Sequence, residues 1–267
     1  GLTTFGTAGF TVGTDGSYNT SSATYVGWQW KANGAGSSNT DGSVTSTVSN
    51  NSTSNFSIVK YTGTGSGNST VGHGLGVTPD MIIVKHLDRA QNWRVFHTKV
   101  GVGSTLFLNS TAAAAADPDR ITAVSSTTFT ATANMNESAD YIAYCFAEVD
   151  GYSSFGSYTG NGSADGPFVY TGFKPKWIMF KTTSVGRWYM LDVDRAAVPG
   201  ANVVNTQFFA ELTNAESAPD VGSSTDFLSN GFKVRTTGIN GSGQTIIYMA
   251  FAENPFGGDG VAPATAR

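Results

Sequence analysis

The sequence predicts an all-β chain: two related antiparallel β-sandwich units, jelly-roll or lectin-like, produced by an internal duplication. Three observations predict it. First, one strand-like ladder occurs three times, as Tyr25-Val26-Gly27-Trp28-Gln29-Trp30, as Tyr141-Ile142-Ala143-Tyr144-Cys145-Phe146-Ala147-Glu148 and as Ile246-Ile247-Tyr248-Met249-Ala250-Phe251-Ala252-Glu253. Each follows a short feeder, at residues 9–12, 128–131 and 231–234. Second, other matched segments keep register. Tyr61-Thr62-Gly63 matches Tyr158-Thr159-Gly160 at an offset of 97, Pro79 matches Pro175 at 96, and Trp93 matches Trp188 at 95. Chance similarity does not hold register across several strands. Third, only 13% of residues are charged, and Gly, Ser, Thr and Asn fill the deficit. Thr and aromatic residues suit sheets, while Gly and Asn suit tight turns.

Taken in order, residues 1–31 read as the terminal strands of a partial repeat that packs on the first unit. Residues 32–54 read as a polar linker or an edge hairpin: Asp41-Gly42 is a hairpin-type turn signal, and Ser43-Val44-Thr45-Ser46-Thr47-Val48 alternates weakly after it. Residues 55–152 form the first sandwich repeat and residues 153–256 the second, followed by a tail at residues 257–267. In both repeats a Pro precedes a continuous apolar strand, Met81-Ile82-Ile83-Val84 and Trp177-Ile178-Met179-Phe180. Pro is tolerated at a strand's start, and a strand apolar on both faces belongs at the centre of a covered sheet. The closing ladders are 105 residues apart, so the second repeat has a longer back half, with the extra residues expected at 215–224. Ala112-Ala113-Ala114-Ala115-Ala116 allows one turn of helix at most before Asp117-Pro118.

The composition excludes several classes of function. A net charge of −4 with no run of like charge gives no grip on nucleic acid or an anionic membrane. No apolar run reaches the roughly 18 residues of a membrane span. The single cysteine, Cys145, forms no internal disulfide, and its strand position reads as core filling. His73, His86 and His97 show no metal-ligand spacing, and His73 sits between glycines as a turn residue. No metal and no cofactor are expected. The glycine-rich pieces lack the P-loop Lys-Ser/Thr, and no G-x-S-x-G elbow occurs. Asp192 and Asp194 would share one face of a strand beside Arg195, which reads as a local surface ion pair rather than a catalytic carboxylate pair. No catalytic residue is assigned.

The aromatics carry the remaining signal. Trp93 and Trp188 stand at equivalent places, each after a polar turn, and His97 is the counterpart of Asp192. Flat sugar faces stack on such rings while polar neighbours bind the hydroxyls. A duplicated Trp at a strand start is equally a packing anchor, the commoner role for so large an apolar side chain. The candidate ligand-binding residues are therefore Trp93, His97, Trp188, Asp192 and Arg195.

Phe56-Ser57-Ile58-Val59-Lys60-Tyr61-Thr62-Gly63, Val71-Gly72-His73-Gly74-Leu75-Gly76, Tyr144-Cys145-Phe146-Ala147-Glu148 and Ala252-Glu253-Asn254-Pro255-Phe256 resemble a duplicated β-rich module of tailed-bacteriophage tail-fibre and other virion structural proteins. The resemblance spans nearly the whole chain and carries over no catalytic or binding residues. It implies a place on the virion surface. The expected function is a non-enzymatic tail-fibre or receptor-binding component that adheres to host-surface glycan and works as a homo-oligomer among other virion subunits. The alternatives are a purely architectural virion protein, as a capsid decoration or tail outer domain, and a glycan-degrading tail spike.

Overall fold

The computed structural model describes residues 1–6, 9–117, 120–196, 202–216, 224–253 and 255. Every paired strand runs antiparallel to its neighbours. Helix among the described residues is limited to single short turns, and no helix is long and apolar enough to cross a membrane. The chain divides into two units, residues 1–31 and residues 32–267.

In the first unit β1 (Leu2–Phe5) pairs with β2 (Phe10–Val12), and the one-turn α1 (Gly16–Asn19) follows. The Asp15 carboxylate caps that turn by accepting from the Ser17 N–H at 2.9 Å. The expected strand at residues 25–30 is not formed. The later ladders form between two flanking strands, whereas the strands among the described residues of this unit are β1 and β2, already paired with each other. Tyr25 is drawn back to the helical turn, where its hydroxyl donates to the Gly16 carbonyl at 3.1 Å and accepts from the Thr20 N–H at 2.9 Å. No described residue of this unit is buried.

The second unit opens with β3 (Ser37–Asn39), β4 (Ser46–Asn51), β5 (Phe56–Thr62), β6 (Ser69–Gly72) and β7 (Met81–His86). It continues with β8 (Arg94–His97), β9 (Leu106–Phe107), β10 (Thr128–Ala131) and β11 (Asp140–Phe146). A large sheet has the order β3-β4-β5-β11-β7-β8-β9, and a small one pairs β10 with β6. The weak alternation before β5 is thus an ordered hairpin, with its strand three residues later than the sequence pattern suggested. The alanine run forms no helical turn, and Ala115 bridges Thr105.

The remaining strands are β12 (Ser153–Thr159), β13 (Phe168–Tyr170), β14 (Pro175–Thr182), β15 (Trp188–Asp192), β16 (Val203–Val204), β17 (Gln207–Phe209), β18 (Thr225–Leu228), β19 (Gly231–Val234) and β20 (Thr245–Ala252). They make a large sheet ordered β12-β20-β14-β15-β17 and a small one ordered β13-β19-β18-β16. The strands matched by sequence, β5 with β12, β11 with β20, β7 with β14 and β8 with β15, hold the same order in the two large sheets. Most of the expected longer stretch at residues 215–224, and the tail at residues 257–267, lie outside the described residues.

Each half has its own core, set by the period-two alternation of strands. Val59, Tyr61, Ile82, Val84, Tyr141 and Cys145 of one large sheet pack with Val71, Phe129 and Ala131 of its small partner. Ile178, Phe180, Ile246 and Tyr248 pack with Val169, Phe227 and Phe232 in the other half. The second faces of the two large sheets meet as well. Phe146, opposite Phe56 and Met81 in its sheet, lies 6.2 Å between ring centroids from both Phe155 and Phe251. The molecule beyond residue 31 is therefore layered small sheet, large sheet, large sheet, small sheet, and the central strands are buried on both faces.

Candidate functional site

Strand alternation sorts the candidate residues between inside and outside. On β15, Trp188, Met190 and Asp192 point to the junction between the large sheets, while Tyr189 and Leu191 point to the core side. Trp188 is 1% exposed, and its indole N–H donates to the Phe107 carbonyl across the junction at 2.8 Å. It offers no face to a ligand, which corrects its candidacy: it is a packing anchor. His97 is also buried, against Phe155, with Nε2 donating to the Tyr248 carbonyl at 3.1 Å and Nδ1 accepting from the Lys99 N–H at 3.2 Å. Burial pushes its imidazole down to about 4. Asp192 is buried and caps a helical turn by accepting from the Asp194 N–H at 2.9 Å. Arg195 lies over the Phe208 ring at 4.0 Å, with Glu216 at 3.1 Å and Asp192 at 3.8 Å. These four are structural in their contacts, since they bind the protein's own groups and His97, Trp188 and Asp192 are shut off from solvent.

Trp93 differs. It is half-buried, stacks on Tyr144 with centroids 6.5 Å apart, and lies under the Lys85 ammonium at 6.0 Å. Its backbone N–H donates to the Asn109 side chain at 2.9 Å, and Asn109 in turn donates to Asn92 at 3.0 Å. A ring beside two amides keeps the chemistry expected of a sugar contact, although one face is already taken by Tyr144.

The histidines share one local device. In each, Nδ1 accepts from the backbone N–H two residues on, at 3.2 Å in His73, 3.1 Å in His86 and 3.2 Å in His97. His73 Nε2 completes the pattern at the Ser125 carbonyl, 3.1 Å away, which makes it a turn residue as expected. Among the described residues no three His, Cys, Asp or Glu side chains are placed to hold a metal. The repeated Tyr-Thr-Gly-x-Gly-Ser motif also serves the fold. Asn136 accepts from the Thr64 N–H at 3.0 Å, and Asn240 accepts from the Asn161 N–H at 2.9 Å at the equivalent place. Each asparagine amide then donates back into the same turn. A Cβ on Gly63 would lie 2.1 Å from the Glu137 carbonyl and one on Gly160 2.2 Å from the Gly241 carbonyl, so only glycine fits.

An open concavity lies one residue from the predicted tryptophan, on the other face of β15. It is a cleft of about 290 Å³ lined by residues that include Phe180, Thr182, Arg187, Tyr189 and Gln244. This is near the lower limit of ligand-pocket size, about 300 Å³. The Arg187 guanidinium stacks over Phe209 at 4.8 Å and lies 3.5 Å from Glu211. Tyr189 meets the same Phe209 edge-on at 5.3 Å. The β14–β15 turn that frames the cleft is held by Lys181, whose ammonium is buried and donates to the Thr182 and Ser184 carbonyls at 2.6 and 2.9 Å. Burial pushes that ammonium down to about 8. Lys85 does the same for the equivalent turn, donating to the carbonyls of His86, Arg89 and Gln91. The cleft thus combines an aromatic wall, a guanidinium donor, an amide and a hydroxyl on a braced turn.

One family model spans this whole arrangement, matching residues 1–255 under the description Domain of unknown function (DUF7483). The chain belongs to that family. Searches of curated proteins and of solved structures found no match. The description carries no activity, so the geometry of the site is the basis for function.

Proposed function

We propose that this chain is a non-enzymatic adhesion module of a virion surface, a tail-fibre or receptor-binding component that holds host-surface glycan. The observation that carries the reading is the cleft lined by Tyr189, Arg187, Gln244 and Thr182, in which Tyr189 and Arg187 are each held by contact with Phe209. A pyranose has an apolar C–H face and a rim of hydroxyls, and this wall and these donors complement both. The corresponding order of the two large sheets supports descent of both halves from one duplicated sandwich, of jelly-roll or lectin-like type. Non-enzymatic action is supported by the fate of the carboxylate pair that stood out in the sequence: Asp192 is buried in a cap, and Asp194 is exposed and paired with Lys176. The partners are other virion subunits and further copies of this chain, with no nucleic acid and no membrane insertion. Linked copies would raise a weak single-site affinity by roughly 10²–10⁴.

The test is Arg187→Ala with Tyr189→Ala in intact particles. Host adsorption is expected to fall at least tenfold while particles assemble normally. Unchanged adsorption removes the cleft from the reading, and release of reducing ends from host polysaccharide by the wild-type protein would replace adhesion with a glycan-degrading spike. A purely architectural role is the second reading. It is favoured by the first unit, which leaves Phe5 77% and Tyr25 53% exposed and buries no described residue.

A further inference from the structure

The two small sheets differ in what covers them. In the first half the outer edge of β6 is occupied by the chain itself: the Val44 N–H donates to the Thr70 carbonyl at 3.1 Å, and the Ser43 hydroxyl accepts from the Thr70 N–H at 3.0 Å. The outward residues there are threonines, Thr70, Thr128 and Thr130. In the second half β13 is the terminal strand of its sheet, and no described strand lies beyond it. Val169 points inward to the core, while Phe168 and Tyr170 point outward, 47% and 59% exposed. Residues two apart on a strand are roughly 7 Å apart, so the two rings form a short platform. Gly231 stands opposite Tyr170 and Lys233 opposite Phe168.

The rim of this platform is charged and balanced. Lys233 and Arg235 both reach Asp165, at 2.9 and 3.4 Å, and Arg235 also bonds Asp226 at 2.6 Å. Two cations and two carboxylates sum to no net charge. The Asp165 side chain is 78% exposed, so a negatively charged ligand would meet it directly. Hydroxyl groups, which both donate and accept, suit such a rim.

The size of the patch limits what covers it. Aromatic side chains bury about 150–250 Å² each. Two rings at half exposure offer on the order of 200 Å², against about 800 Å² per partner in a stable protein interface. We infer that the outward face of β13 is a sugar-stacking surface for a neutral hexose polymer, with Phe168 and Tyr170 under successive sugar rings and the Asp165–Lys233–Arg235 group bonding their hydroxyls. It rests on the adhesion reading above and supplies a site and a ligand class separate from the Arg187 cleft.

Affinity electrophoresis of the full chain through gels containing a neutral β-glucan, α-mannan or galactan tests it, with a polyuronate as the charged probe. Phe168→Thr with Tyr170→Thr removes both rings and keeps strand-forming residues, so the fold is retained, as an unchanged melting temperature checks. At least one neutral polymer is expected to retard the wild type, and the double variant is expected to bind it at least tenfold more weakly. Equal retardation of both proteins overturns this inference and leaves adhesion to the cleft. Retardation by the polyuronate alone overturns the ligand class. A lower oligomeric mass of the variant in light scattering overturns it in favour of a protein interface. A wild type that neither binds any of these polymers nor adsorbs to host cells overturns the adhesion reading itself.

Discussion

Asn240 is fully buried, and its side chain is satisfied by Asn161 and Ser163 within one turn. Replacing it by Ala removes its three hydrogen bonds to Asn161 and Ser163, each worth about 0.5–1.5 kcal/mol net. Asn240→Ala is expected to lower the unfolding free energy by about 3 kcal/mol, read from the urea midpoint at unchanged slope. The turn itself was legible as the repeated Tyr-Thr-Gly motif; the asparagine was not, because it lies 79 residues from Asn161 and enters only through folding. Its signal existed in the paired Met135-Asn136 and Ile239-Asn240, which sit just before the two later ladders. Trp188 was legible as a large apolar anchor and Tyr189 as its neighbour, yet which of them enters the junction and which reaches the cleft depends on strand pairing alone. A period of two makes a one-residue difference decide between core and cleft.

At the scale of the element, β15 shows what the junction demands. Trp188→Ala removes a fully enclosed indole and its hydrogen bond to the Phe107 carbonyl, which keeps only the Ser110 N–H. A loss of about 3–5 kcal/mol is expected, whereas Trp93→Ala on the half-open β8 turn should cost roughly 1–2 kcal/mol; chemical denaturation of both variants measures the difference. Lost adsorption in a Trp188 variant would therefore report folding and not ligand contact. The central strands β7 and β14 were legible from continuous apolar runs behind a Pro, since no other environment tolerates them. The strand expected at residues 25–30 was not formed, because a ladder-like sequence becomes a strand only where neighbours flank it. The platform on β13 carried a short signal, Phe168-Val169-Tyr170 after a Pro, that three residues were too few to make distinct.

For the whole molecule, the junction makes stability depend on pH through His97. An unfolded chain takes up a proton near pH 6.5, and the folded protein resists it down to about 4 because burial disfavours the charged ring. Above 6.5 the ring is neutral in both states and has no effect. Between 6.5 and about 4 the unfolded state binds more protons, so stability falls, and below about 4 the loss stops growing. The total is about 3 kcal/mol. Burial lowers His73 as well, which adds a loss of the same sign. Unfolding curves taken from pH 7 to 4 should show the decline, and His97→Gln should flatten it; a slope unaffected by that substitution would place the proton elsewhere.

The ring contacts of Phe146 with Phe155 and Phe251 join segments far apart in sequence. Either half made without the other would therefore turn this aromatic face to water, a solubility cost that the joined chain avoids.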